Sequence, residues 1–421
     1  MFHTQQVSLP TAHLEHTATR LADGDVLVLG GLDAQGAAQS TALRYSQADN
    51  AFLAVAPMPL PSRRHTATLL ADGDVLVVGV GEADGRSYRY RPGADTWIEV
   101  KAPATRRVEH AAVRLGDGSV LISGGRPAAA LAAAAGVQRR DVEVLTSCER
   151  FDPGQDAFVA APELPHARRK HALCVLSDGS VLAIGGKAAG PQGTPQRLRT
   201  SAKLGAGLDG WRSLPKLAAS ERDVCVLQDG RVIGHGGHLF EPRRDLWHRV
   251  EAGYRGGGPL LLLADGRVVC FGAMGEEVFD PEQKQWTPAG PARKSPMRGQ
   301  LAVALDEGRA LLIGGDAHHG KAAAWAALVE IDLEWQPQPI EIDDMDSAER
   351  LLEMLVENGA LELDDPVEGL EELIEPVARL LRFAEGAGAQ AQALSRLLVE
   401  HESVADFFLD DASLKKLLGQ W

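Results

Sequence analysis

The sequence predicts an all-β ring, a seven-bladed β-propeller, followed by a small α-helical C-terminal region. Three observations predict it: a hairpin pattern repeated seven times, an aromatic residue recurring downstream of each copy, and a change of periodicity and charge near residue 340. The 421 residues are 45% apolar, with 45 glycines and 23 prolines. That is enough to bury a sizeable core in a turn-rich β protein.

The repeat dominates the chain. HTATRLADGDVLVLGG begins at His16, HTATLLADGDVLVVGVG at His65, HAAVRLGDGSVLISGG at His110 and HALCVLSDGSVLAIGG at His171. Three further copies start at Arg222, Pro259 and Gln300. Each is an apolar run, an Asp-Gly or Glu-Gly pair, a second apolar run and a glycine-rich exit. Asp-Gly between strand-like runs suits a type I′ hairpin, which needs positive φ at both central residues. The two runs are therefore antiparallel strands, a and b. A short strand c, a polar turn and a strand d follow in each copy. Strand d is marked by Phe52, Trp97, Phe158, Trp211, Trp247, Trp286 and Trp335. Four strands recurring at a spacing of about 40–50 residues make a propeller blade.

The Gly-Gly after strand b and the downstream aromatic resemble the kelch motif. The resemblance covers residues 1 to about 340 and recurs seven times in phase. The sixth copy departs from it with Gly272-Ala273 in place of Gly-Gly, and the fourth lacks an aromatic on strand c. Such propellers include enzymes resembling galactose oxidase or sialic acid mutarotases. The oxidase type needs copper, tyrosine and histidine ligands and a Tyr–Cys crosslink; none of Tyr45, Tyr88, Tyr90 and Tyr254 clearly fills that role. No GxSxG, HExxH, P-loop or Rossmann fingerprint occurs. The reading is a non-enzymatic interaction module that binds a protein or peptide partner, with no cofactor. The alternative is a mutarotase-like enzyme acting on a sugar acid in the central funnel.

Ring closure is legible by alignment. Residues 3–9 stand as far before His16 as residues 52–58 stand before His65. The N-terminal stretch thus resembles a strand d without a blade of its own, and is expected to complete the seventh blade. Trp335 and the residues after it compete for that place, but Pro337 and Pro339 cannot donate ladder hydrogen bonds and rank second.

The propeller is expected to span residues 1–340, with no strand past residue 345, and an acidic helical region to span 341–421. Leu351, Leu352, Leu355 and Val356 recur at helical spacing, and further short helices are expected after Pro366, from Ala391 and from Ser413. This tail holds 20 acidic and 6 basic residues, net −14; of the chain's 58 and 43 that leaves 38 and 37, net −1, in the body. Nucleic acid is therefore not an expected partner. No apolar run reaches membrane-span length, the polar N-terminus does not read as a leader, and Cys148, Cys174, Cys225 and Cys270 read as reduced, so a cytoplasmic setting is expected.

Strand alternation sends the d-to-a and b-to-c links to one face and the short Asp-Gly turns to the other. The long insertions, residues 126–142, 187–199 and 316–326, all follow strand b. The d-to-a links carry basic clusters: Arg63, Arg64, Arg106, Arg107, Arg168, Arg169, Lys170, Arg293, Lys294 and Arg298. These are the candidate partner-binding residues, on a loop face where a rigid scaffold usually carries function. An acidic partner is expected, the chain's own tail among the candidates, by self-association or intramolecular docking. His16, His65, His110 and His171 recur at one position and read as scaffold. His235, His238, Asp316, His318 and His319 are metal-ligand types without a complete ligand set, so no metal is expected.

Overall fold

The computed structural model describes residues 2–81, 83–129, 143–190, 195–218, 220–221, 223–250, 257–273, 275–289, 297–306, 308–318 and 321–334; past 334 it describes only 345, 348–349, 351–352, 355, 361–363, 373–374, 377, 394 and 404–407. Seven four-stranded antiparallel sheets form the body. Six are contiguous, at residues 17–54, 66–100, 111–161, 172–213, 224–249 and 260–288. The seventh takes strands a to c from Leu301–Ala304, Arg309–Ile313 and Ala326–Ile331, and its strand d from Phe2–Val7. That N-terminal strand pairs residue for residue with Ala326–Ile331, from Phe2 opposite Ile331 to Val7 opposite Ala326. The a strands of successive blades touch, and blade 7 touches blade 1, so the ring closes as the alignment predicts.

The core lies between blades. Strand b is sandwiched by its neighbours and is apolar on both faces, so period-two alternation sends its side chains to opposite sides. In blade 1, Val26 and Val28 pack with Leu311 and Ile313 of blade 7, while Leu27 and Leu29 pack with Val75 and Val77 of blade 2. The recurrent aromatics are cross-strand partners of strand c: Phe52 sits 5.2 Å from Tyr45 and Trp97 4.9 Å from Tyr90, ring to ring. Trp335 lies outside the described residues. Glycine is required after strand b because neighbouring backbone leaves no room: a Cβ on Gly124 would overlap the Arg168 carbonyl, and one on Gly125 would sit 2.6 Å from the Val108 carbonyl, both at positive φ.

The tail corrects one expectation. Leu361–Leu363 pairs antiparallel with Val404–Phe407, in the stretches between the expected helices. The two-stranded ladder adds no blade, and its apolar-polar alternation, Leu361-Glu362-Leu363, suits a strand. The helices themselves and the boundary at 340 fall mostly outside the described residues.

Candidate functional site at the channel mouth

On the loop face the d-to-a links are tied to the loops after strand b by short ladders. Arg107–Val108 pairs with Arg126–Pro127, and single bridges join Arg169 to Lys187 and Arg298 to Asp316. Main-chain bonding thus fixes the backbone of these links.

The third residue before each strand-a histidine is a scaffold position. His13, Ser62, Arg107 and Arg168 occupy it and are fully buried. His13 Nδ1 lies 2.8 Å from the Gly30 carbonyl oxygen. Arg107 donates to the carbonyls of Thr105, Gly124 and Ser147 and to Glu149 at 2.6 Å. Arg168 donates to the carbonyls of His166, Gly185 and Thr200. These arginines clamp backbone carbonyls at the strand-b exits, those of Ser147 and Thr200 accepting from the Gly124 and Gly185 N–H as well. Arg107 and Arg168 are therefore removed from the surface set. The histidines lie between blades: His65 Nε2 is 3.0 Å from the Thr17 hydroxyl, His110 2.8 Å from that of Thr66, and His171 2.8 Å from that of Ser123. Burial pushes their pKa down, to about 4 for His65 and to about 3 for His16 and His110, the charges of neighbouring His and Arg adding to the last two; His171 is pushed well below its ordinary value, by burial first.

The residue immediately before each strand-a histidine behaves differently. Glu15, Arg64, Glu109 and Lys170 take φ of 58°, 61°, 58° and 50°. This left-handed region costs roughly 1–2 kcal/mol for a residue with a Cβ. A relay of main-chain bonds holds them there: Arg64 N–H donates to the Glu15 carbonyl, Glu109 to Arg64 and Lys170 to Glu109, at 3.1, 3.1 and 2.9 Å. Their side chains converge. Arg64 Nε is 2.6 Å from Glu15 and its Nη1 3.1 Å from Glu109. Lys170 Nζ is 3.1 Å from Glu15 and 3.6 Å from Glu109. Blades 1 and 4 are not neighbours, so Lys170 meets Glu15 across the axis of the ring. Arg63 approaches Glu15 at 3.5 Å, while Arg126 and Arg169 reach Glu109 at 3.4 and 2.7 Å. Five cations thus converge on two carboxylates. Burial opposes ionisation of Glu15, but Arg64 and Lys170 outweigh it and hold its carboxyl below the usual range; Lys170, Arg64, Arg169 and Arg126 do the same for Glu109. Neither is poised as a general acid near neutral pH.

Counting from the turn, blades 5 to 7 have Glu221, Gly257 and Gly299 at the same position, but Glu221 takes the scaffold place instead, its carbonyl lying against Gly185 as that of Arg168 lies against Gly124. Glu221 accepts from the Gly236 N–H at 3.1 Å and faces His238 Nδ1 at 2.7 Å. The charged half of the mouth therefore belongs to blades 1–4. Of the remaining expected residues, Arg106 is exposed and donates to the Asp84 carbonyl at 3.2 Å, Arg298 is exposed beside Asp316, and Arg293 and Lys294 lie outside the described residues. Sequence reading missed Glu15, Glu109 and Arg126. The alternation Glu, Arg, Glu, Lys one residue before four aligned histidines was the available signal.

The histidines after strand b of blade 5 are engaged by carboxylates. His235 Nε2 is 2.7 Å from Glu277, with both side chains buried. Blade 6 has Gly258 where blades 1 to 4 carry a strand-a histidine. Among the described residues no group of three or more His, Cys, Asp or Glu is arranged to hold a metal.

The opposite face is structural, and one exchange explains its charges. In blades 2 and 4 a strand-c cation reaches forward to the next blade: Arg89 donates to the Pro153 carbonyl and Asp156, and Lys203 to the Pro242 carbonyl. In blade 5 strand c carries Leu239 instead, and the cation moves to the hairpin turn, where Arg231 donates to the equivalent Pro281 carbonyl at 3.2 Å. Arg267 of blade 6 likewise reaches Leu333. Cations on this face thus serve as seams between blades at Arg89, Lys203, Arg231 and Arg267, while Arg44, Arg150 and Arg309 pair with the hairpin turn of their own blade.

No family model matches the chain. It is similar to Kelch-like protein 34 of Homo sapiens, 28% identical over 174 residues, which are 39% of this chain and 25% of that protein; the chain thus spans about a quarter of that relative's length. Among solved structures it is similar to that of YjhT, with a TM-score of 0.52 and 15% identity over 78% of this chain and 97% of that one, a likeness of fold. With seven four-stranded blades, glycine pairs wedged against neighbouring carbonyls and an aromatic at the same place in most outer strands, the chain is a kelch-repeat β-propeller.

Proposed function

We propose that the chain is a non-enzymatic binding module whose loop face, centred on the axial cluster, docks an acidic segment of a protein partner. One observation carries the reading: cations from the links and loops of blades 2, 3 and 4 converge at the channel mouth on backbone held in a costly conformation, whereas cations of the opposite face pair separately, with the turn of their own blade or of the next. Arginine forks meet carboxylates in directional pairs, so the cluster favours carboxylate over generic polar ligands. The acidic tail, net −14, supplies a second interaction element and one candidate partner in cis.

The test is binding of a blocked hexaglutamate peptide to the full chain and to residues 1–340, at low and high salt. Binding is expected to weaken with salt, to strengthen when the tail is removed, and to fall when Arg64 and Lys170 are both changed to Glu. If that double reversal leaves binding unchanged in a folded protein, the loop-face reading is wrong.

A further inference from the structure

We infer that Glu15 is a built-in stand-in for the partner's carboxylate, which an incoming acidic group displaces from Lys170 and Arg64. The inference rests on the reading of the loop face as a dock for acidic segments, and adds which residue gates it.

The two carboxylates of the cluster are not equivalent. Glu109 has a side chain only 1% exposed and is approached by Arg64, Arg126, Arg169 and Lys170. It is the anchor around which the cations are arranged, and removing it would leave buried like charges facing one another. Glu15 is 22% exposed, and of the cations that reach it, Arg64 and Lys170 also contact Glu109. Moving Glu15 aside therefore leaves both cations with one carboxylate and a vacated position for a second. The Lys170 side chain is 33% exposed, so a ligand can approach it from the loop side. Glu15 also stands at the entry to blade 1, opposite the loops of blades 3 and 4 that carry Arg126, Arg169 and Lys170, and meets Lys170 across the axis. Its carboxylate thus occupies the place a ligand carboxylate would take at the centre of the ring.

Three full-length proteins decide the matter: the unaltered chain, Glu15→Gln and Glu163→Gln. Glu163 is exposed in the link between blades 3 and 4, bonded to the Thr146 hydroxyl, and removes the same charge away from the axis. The probe is the blocked hexaglutamate peptide, with hexaglutamine as control, read by calorimetry. Glu15→Gln is expected to bind hexaglutamate tighter by about fivefold, the scale of one partly exposed ion pair, with Glu163→Gln within about twofold of the unaltered chain. Binding by Glu15→Gln alone would support displacement in its strongest form. Equal affinity of Glu15→Gln and the unaltered chain, or an equal gain from Glu163→Gln, overturns the gate while leaving the dock standing. Absence of binding by all three overturns the dock and the gate together.

Discussion

Acidification should unfold this propeller well before its carboxylates protonate. His16, His65 and His110 are buried neutral between blades, with pKa values pushed to about 3, about 4 and about 3, against about 6.5 in an unfolded chain. Below the unfolded value the unfolded state takes up protons that the folded state refuses, so stability is lost as pH falls from there towards the folded values. Integrated to about pH 5, each costs about 2 kcal/mol, and the three together about 6 kcal/mol, against a total stability on the order of 5–15 kcal/mol. Other buried groups do not mask the effect. Glu15 and Glu109, held low, contribute stability that is lost only as pH falls below the ordinary carboxylate range of about 4.5. His235, raised through its pairing with Cys270 and Glu277 against the effect of burial, contributes stability that is complete below about 6.5 and lost only as pH rises through its folded value. Urea unfolding near pH 7 and near pH 5 should therefore differ by several kcal/mol, and His65→Gln should shrink the difference by about 2 kcal/mol. A loss under about 1 kcal/mol, or an identical pH dependence in His65→Gln, would refute the burial argument.

Removing residues 1–9 should lower the melting temperature by about 5 °C or more, since it opens a blade edge and takes the buried Val7 and Leu9 out of the core they share with Leu311, Ile313 and Leu328; an unchanged calorimetric melt would contradict closure. Arg107→Ala should cost about 3–5 kcal/mol in denaturant titration by stranding Glu149, while Arg106→Ala stays within about 0.5 kcal/mol; equal effects would contradict the assignment of scaffold and surface. Arg89→Leu should destabilise the seam between blades 2 and 3, and adding Asp74→Arg, which recreates the Arg231–Leu239 arrangement of blade 5, should recover more than half the loss. No recovery in the double variant would show that the exchange of cation positions is coincidental.

The ring was legible because its determinants are local and repeated. Asp-Gly pairs located the hairpins, although the turns are not the expected type I′, since Gly24 and Gly73 take positive φ and Asp23 and Asp72 do not; glycines set each exit, and a fixed distance of thirteen residues before His16 marked the closing strand. The roles of adjacent arginines were not legible in the same way. Arg106 and Arg107 are neighbours of identical chemistry, yet one is in water and the other is buried. The difference lies in the phase relative to His110, since three residues before the histidine is scaffold and one before is axial. Glu15 meeting Lys170, 155 positions apart, depends on closure of the whole ring and has no local signature beyond the alternation of sign. The strand pair of the tail escaped because both segments are three or four residues long and lie beside leucine-rich helical patterns.

The central claim is that a carboxylate seats at the axial cluster on the loop face. The most direct measurement is a structure of the full chain bound to the blocked hexaglutamate peptide. The account predicts one glutamate carboxylate against Lys170 Nζ and the Arg64 guanidinium, with the Glu15 side chain rotated away and Glu109 unmoved. A peptide lying on the Asp-Gly turns or along the outer strands, with the Glu15–Lys170 pair intact, would contradict it.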